Sequence, residues 1–325
     1  PHCTPGQHMV QHTWFGVESA IHLHGFKVNH VSQEHDARMI TIHSTPGAFH
    51  DAIQVTLEKD EAANSLMLGI AARLAAATDS VPSPPFLSTA HDERGLLAAA
   101  LMTPPHKLVV WGRPCECDTG AVILVPVLVD VGWKPPGVIG PCEVAIAIAR
   151  AWSRISKQPF HRERRQRVYV LTHAPDLSFG RGRLRCATQA DATLVAEWQT
   201  AFQREALGED DLADAGEATR QAVQAIMARR VFLWEDAQPV SMAMTSRPTR
   251  HGISISAVYT PPGYRRRGYA TACVGALSRQ LLVSQWSYCS LFADVTNLTA
   301  VRAYTRIGYQ PVADYCEYAF VKQIP

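Results

Sequence analysis

Excess charge of either sign is what this sequence most plainly lacks. Its 325 residues carry 31 Lys and Arg against 29 Asp and Glu, a formal net of +2. A chain so balanced is poorly suited to an extended polyanion, so no nucleic-acid partner is expected. Long apolar runs are missing as well. None approaches the ~20 residues of a membrane span, and no membrane partner is expected. The N-terminal stretch is polar and broken by histidines, with no signal-peptide pattern, which points to a cytoplasmic location. Cysteine is sparse in pattern: eight residues stand singly apart from Cys115 and Cys117. That is neither a disulfide framework nor a CxxC pair, so reduced thiols are expected. No GxxxxGK[ST] and no GxGxxG after a strand occurs, which leaves P-loop and dinucleotide folds unsupported. What remains is globular. At 47% hydrophobic and 18% charged residues, the length suits two ordinary domains, each able to bury a core.

Residues 1–38 differ from the rest. They hold seven of the 14 histidines, His2, His8, His12, His22, His24, His30 and His35, without a sustained apolar period. They read as a disordered or non-native His-rich extension, with Met39 as the natural start. His22 and His24 could share one metal ion, but Cys3 is the only nearby thiol and no paired-ligand spacing recurs, so no metal is expected.

From Met39 the signals sharpen. "MITIHST" alternates like a strand, and Thr45 with Pro46 reads as N-cap and first helical residue. Phe49, Ile53 and Leu57 share a helix face. Asp60 can cap a second helix that buries Leu66, Ile70 and Leu74. "GLLAAALMTPPHKLVVW" (95–111) is two apolar runs broken at Pro104-Pro105, and a helix from about Cys142 turns Val144, Ile148, Trp152 and Ile155 inward. "HRERRQR" (161–167) reads as a solvated helix end before the strand "RVYVLT". "HAPDLSFGRG" (173–182), with proline and two glycines, is the domain boundary. Beyond it the order recurs: strand "RLRCAT", a capping box of Thr188 and Asp191, a helix with Leu194, Trp198 and Phe202, another over 217–229, then three strands ending in Thr-Pro-Pro as the first set does. The recurrence indicates an internal repeat of one mixed α/β unit.

Within the second unit, "YRRRGYATA" (264–272) follows a strand and opens a helix carrying Cys273, Leu277 and Leu281 on one face. Free N–H groups and the helix dipole make such a junction an anion site. Gly268 lets the backbone approach a phosphate, Ala270 keeps the first turn slim, and the arginines add forked donors. The pattern Arg-x-x-Gly-x-Ala, filled by Arg265, Gly268 and Ala270, resembles that of the GNAT superfamily of acyl-CoA-dependent N-acyltransferases. A second stretch, "LFADVTNLTAVRAYTRIGYQPV" (291–312), resembles that family's other signature: strand, asparagine, short helix with tyrosine, then Gly-Tyr.

The resemblance implies an α/β (mixed α+β) chain of two GNAT-like domains, each a mostly antiparallel mixed central sheet flanked by helices. Residues 39–172 would form a degenerate copy, 173–182 a linker and 183–325 the catalytic domain. It further implies acetyl-CoA (or another acyl-CoA) as co-substrate, held by Val258, Tyr259, Arg265, Arg266, Arg267, Gly268, Tyr269, Ala270, Thr271, Asn297 and Tyr304. The backbone near Val258 would polarise the thioester carbonyl and Tyr304 would act as general acid. The implied reaction is direct attack by a primary amine of a small-molecule or amino-acid-like acceptor, in a monomer or homodimer. The first copy departs from the pattern: "TPPHKLVVWGRP" (103–114) offers only Lys107 and Arg113, so one coenzyme site is expected. No third-strand glutamate stands ready as base. Ser254 and Ser256 occupy that strand, and Glu235, Asp236 and Asp294 are the candidates beside a water chain. Cys273 and Cys289 read as buried core rather than nucleophiles. A non-catalytic acyl-CoA sensor is the alternative; the missing glutamate favours it and Tyr304 argues against it.

Overall fold

The structure, a computed structural model, describes residues 39–77, 83–207 and 214–321, so the expectations for residues 1–38 lie outside the described residues. Strand β1 (Met39–Ile42) leads into α1 (Pro46–Leu57), which starts where the Thr45 side chain accepts the Ala48 N–H and proline takes the first helical position. Phe49, Ile53 and Leu57 are fully buried, as their spacing predicts. Helix α2 (Ser65–Ala76) begins later than expected: Asp60 closes a short 3-10 turn and Asn64 stands at the N-cap. Then come β2 (Phe86–Asp92), β3 (Gly95–Met102), β4 (Leu108–Gly112), α3 (Cys117–Asp130), β5 (Gly137–Pro141), α4 (Cys142–Ser156) and β6 (Phe160–Leu171). The second half contains β7 (Arg183–Cys186), α5 (Ala192–Phe202), α6 (Ala215–Met227), β8 (Val231–Asp236), β9 (Gln238–Ser246), β10 (Gly252–Tyr259), α7 (Tyr269–Ser284), β11 (Tyr288–Asp294), α8 (Leu298–Ile307) and β12 (Gln310–Phe320). Element for element, the second half repeats the first.

All twelve strands join one sheet in the order β1-β2-β3-β4-β5-β12-β6-β11-β10-β9-β8-β7. Neighbours run antiparallel except β4 with β5 and β10 with β11, which are parallel. The closing strands are exchanged. Strand β12 pairs with β5 of the first half, and β6 pairs with β11 of the second, while β6 and β12 pair with each other. Helices α1, α2, α5 and α6 cover one face of the sheet, and α3, α4, α7 and α8 cover the other.

Three further expectations need correction. "HRERRQR" is strand, because β12 presents acids across the ladder: Arg165 and Arg167 reach Asp314 at 2.7 and 2.6 Å, and Arg164 reaches Glu317 at 3.4 Å. Such neighbours neutralise a basic run that local sequence reads as solvated helix. Ile155 does not face inward; it is 44% exposed in the last turn of α4, whereas Val144, Ile148 and Trp152 are buried. Cys142, at the start of α4, and Cys316, on β12, form a disulfide across 174 residues, against the expectation of reduced thiols. Cys273 and Cys289 are free and buried, and burial pushes both thiols up to about 12. Among the described residues, no helix is long and apolar enough to cross a membrane.

Candidate functional site

An opening in the sheet organises the site. Strands β10 and β11 share only three parallel rungs, Gly252 with Tyr288 through Ser254 with Ser290. Beyond them β10 runs on to Tyr259 and β11 to Asp294 without pairing to each other. A bulge accentuates the parting: Ser256 lies opposite Met244 but Tyr259 opposite Met242, leaving one extra residue, and Ala257 adopts φ +47°. Ala257 and Val258 therefore lie beside the gap, between the last regular rung with β9 and Tyr259. Because the two strands are parallel, the turns after them, 260–268 and 295–297, lie at the same end of the sheet.

The first turn is built for an anion. Gly268 is the N-cap of α7 at φ +82°, a left-handed conformation that glycine adopts without strain, and Arg266 precedes it at φ +60°. Behind Gly268, the N–H groups of Tyr269, Ala270 and Thr271 belong to the first turn and have no helical acceptor. Arg266 and Arg267 are exposed, while Tyr269, Ala270 and Thr271 are half-buried. The Tyr269 hydroxyl donates to Asp236 at 2.7 Å and moors the helix start to the end of β8. Arg265 is engaged within the chain: its Nε donates to the Thr260 carbonyl at 2.8 Å, its guanidinium pairs with Glu205, and it lies 5.7 Å from the Tyr259 ring centroid. Glu205 also accepts the Tyr259 hydroxyl at 3.1 Å. Sequence reasoning missed this carboxylate, which sits in a short π-helical turn 60 residues from Arg265 and carries no motif.

Asn297 and Tyr304 belong to α8. The Asn297 side chain accepts the Ala300 N–H at 3.1 Å and so caps that helix at an exposed position. Tyr304 is buried in the cluster under α7, with Tyr309 at 6.1 Å between ring centroids, Ala293 in the same cluster and Val258 packed against it. Burial pushes its hydroxyl up to about 12. Among the described residues, nothing hydrogen-bonds that hydroxyl.

The candidate bases fare differently. Glu235 is bound by Arg183 and Arg185, and Asp236 accepts the Tyr269 hydroxyl at 2.7 Å. Asp294 accepts the Thr296 N–H and hydroxyl at 2.8 and 2.6 Å. Ser254 and Ser290 bond to each other at 2.9 Å, fully buried. Two surface hollows, one lined by Thr172, His173 and Gly308, the other by Phe179, Ala276 and Arg279, include no residue of the opening.

Among the described residues of the first half, the corresponding cations are engaged within the chain. Lys107 pairs with Glu163 at 2.6 Å, and Arg113 grips Asp92 through two bonds of 2.6 and 2.8 Å, holding that carboxyl well below its ordinary range. A β-carbon on Gly140 would lie 2.6 Å from the Val110 carbonyl oxygen, so β4 and β5 remain in contact beyond their last parallel rung.

Comparison with known proteins agrees with this architecture. Residues 237–319 match the family model described as FR47-like protein. Among solved structures, a Drosophila protein from structural genomics is 13% identical with a TM-score of 0.57, covering 87% of this chain and 98% of its own. A GCN5-related N-acetyltransferase from Sphaerobacter thermophilus is 14% identical at 0.55, over 87% and 95%. A tandem GNAT protein from the clavulanic acid biosynthesis pathway is 11% identical at 0.53, over 89% and 99%. Among curated proteins nothing matches. The chain has the fold of the GNAT superfamily in its tandem form, and its second half carries an FR47-like domain.

Proposed function

We propose that this chain is an acyl-CoA-dependent N-acyltransferase that moves the acetyl group of acetyl-CoA to a primary amine of a small-molecule or amino-acid-like acceptor. The observation that carries this reading is the parting of β10 from β11 beside the uncapped start of α7. An extended thioester-bearing arm can lie along the free edge of β10 while its phosphates meet the Arg265–Thr271 turn. Gly268 and the first-turn N–H groups fit such phosphates, with the exposed Arg266 and Arg267 beside them.

The amine nitrogen, unprotonated, attacks the carbonyl carbon; a C–N bond forms, the C–S bond breaks and the thiolate leaves. The Val258 backbone N–H supports the developing oxyanion. Tyr304, with its proton firmly held, donates a hydrogen bond to the departing sulfur. Complete transfer from a phenol near 12 to a thiolate of pKa ~8.5 would run uphill, so the hydrogen bond rather than full protonation is its contribution. The proton lost by the new amide nitrogen passes to water.

Calorimetric titration of the full chain with acetyl-CoA, beside Gly268→Glu, tests the reading. One-to-one binding that the substitution abolishes supports it. Absence of binding by folded wild type overturns it, and binding without transfer to any amine would leave a sensor.

A further inference from the structure

Opposite the face that α7 covers, one cation has no counter-charge. Arg247 follows β9 and lies among Gly69 and Arg73 of α2, Phe292 of β11 and Tyr315 of β12. Its guanidinium carbon is 5.2 Å from the Phe292 ring centroid. Neighbours pack round it closely without sealing the residue from solvent. No carboxylate among the described residues pairs with it, and its Nε is buried without a hydrogen-bond partner. Burial lowers its pKa to about 10, with Tyr315 opposing and the charge of Arg73 reinforcing the shift. The adjacent Ser246 Oγ is also buried and unsatisfied. Buried polar groups are nearly always partnered, so two consecutive orphans mark a place that something else completes.

The fold takes pains to hold Arg247 there. Its backbone is left-handed, φ +46°, a strained conformation for a residue with a β-carbon. Helix α2 approaches so closely that a β-carbon on Gly69 would lie 2.6 Å from Arg247 Cβ and 3.0 Å from its Cα. A surface arginine needs neither device.

Position connects this cation to the opening. Ser246, Ser254 and Ser290 form one row across three strands, and Phe292 follows two residues beyond the last rung between β10 and β11. Val258 lies four residues beyond that rung on the other strand. With one extra residue in the bulge, Phe292 and Val258 differ along their strands by at most two residues, on the order of 7 Å or less at about 3.3 Å per residue. Ile253 and Ile255 face α7, whereas Ser254, Ser256 and Phe292 face the α1/α2 side. Arg247 itself follows Ser246, opposite Ser254, so its side chain, lying over Phe292, is what extends toward the opening.

Resting on the acyltransfer reading, we infer that Arg247, with Arg73 beside it, binds a carboxylate of the acceptor, which is therefore an amine bearing a carboxylate several bonds away. A guanidinium fork with no internal partner matches that planar anion in charge and in donor spacing.

The test compares glycine, β-alanine, 4-aminobutyrate, 6-aminohexanoate and L-lysine with their carboxamides. Acetyl transfer and calorimetric binding are measured on the full chain as wild type, Arg247→Met and Arg247→Lys. At least one acid should bind and be acetylated about tenfold better than its amide. Arg247→Met should erase that preference while acetyl-CoA affinity stays within about twofold and the melting temperature holds or rises, since an unpaired buried charge has been removed. Arg247→Lys should restore part of the preference. Acids and amides bound equally, no acid bound at all, or a preference surviving in Arg247→Met would each overturn the inference. Failure of acetyl-CoA to bind wild type would instead overturn the acyltransfer reading, while acid binding measured without coenzyme still decides the role of Arg247.

Discussion

A phenol held near 12 stays protonated across the whole range in which an amine acceptor loses its own proton. On the proposed mechanism Tyr304 can therefore donate to a leaving thiolate at any working pH, and the rate should rise with pH only as the acceptor deprotonates. Removing the hydroxyl in Tyr304→Phe should lower kcat by about 10²-fold or more while acetyl-CoA affinity, read by calorimetry, stays within about twofold. Equal loss of affinity would make the residue a packing element. The cluster around the ring is aromatic and aliphatic, so the phenylalanine has room and the fold should hold. The sequence could single out Tyr304 because the stretch from Asn297 to Gly308 is local and folds as the single helix α8 with its two caps. Glu205 and Arg247 were not legible, because each acquires meaning only from partners at least 45 residues away in sequence.

The caps before α1 and α5 were read well, since a cap is a contract between neighbours, whereas the start of α2 was not. Thr188 and Asp191 form the expected capping box, and Arg185 adds two bonds of 2.8 Å to the same carboxylate. That arginine, with help from the Thr188 N–H and hydroxyl and against the cost of burial, holds Asp191 at about 2 instead of its ordinary 3.8. A depressed carboxyl stabilises the fold above its unfolded pKa and loses that contribution as pH falls through the folded one. The window is therefore pH 4 down to 2. Asp191→Asn should cost roughly 2 kcal/mol at pH 7 and flatten the acid limb of a stability–pH curve followed by urea unfolding. A curve that kept its shape would assign the acid limb to other carboxylates. At α2 the logic is steric: Gly69→Ala drives a β-carbon into Arg247, and a loss of about 1–3 kcal/mol should appear in the same unfolding assay. It should shrink in the Arg247→Gly background, where the opposing β-carbon is gone. Elements defeated sequence reading where their partners are remote. Strand β6 is acceptable as strand only because Asp314 and Glu317 arrive from the far end of the chain, and α3 hid behind an internal proline and an apolar run without clear period.

The exchanged strands make the whole molecule different from two domains on a string. A repeated order of elements was legible, but which strand completes which half was not, because the exchange depends on pairing across the repeats. Strand β6 belongs by sequence to the first half yet lies between β12 and β11, and β12 returns to pair with β5. The halves therefore share one hydrogen-bonded sheet, and the Cys142–Cys316 disulfide ties the first half to the last strand of the second. A loop of 174 residues closed by one bond restricts the unfolded chain by up to about 5 kcal/mol on the entropic account. These two connections can be separated by a single cut. A protease site placed within 173–182, outside every strand, should yield a nicked protein that elutes as one species from gel filtration. Without reductant it should run as one band in denaturing electrophoresis, and with reductant as two, because only the disulfide then links the pieces. Under native conditions the reduced, nicked protein should still co-elute, held by the ladders of β12 with β5 and of β6 with β11. Two bands without reductant would show Cys142 and Cys316 unbonded. Separation of the reduced pieces under native conditions would show that the exchanged strands alone do not hold the halves together.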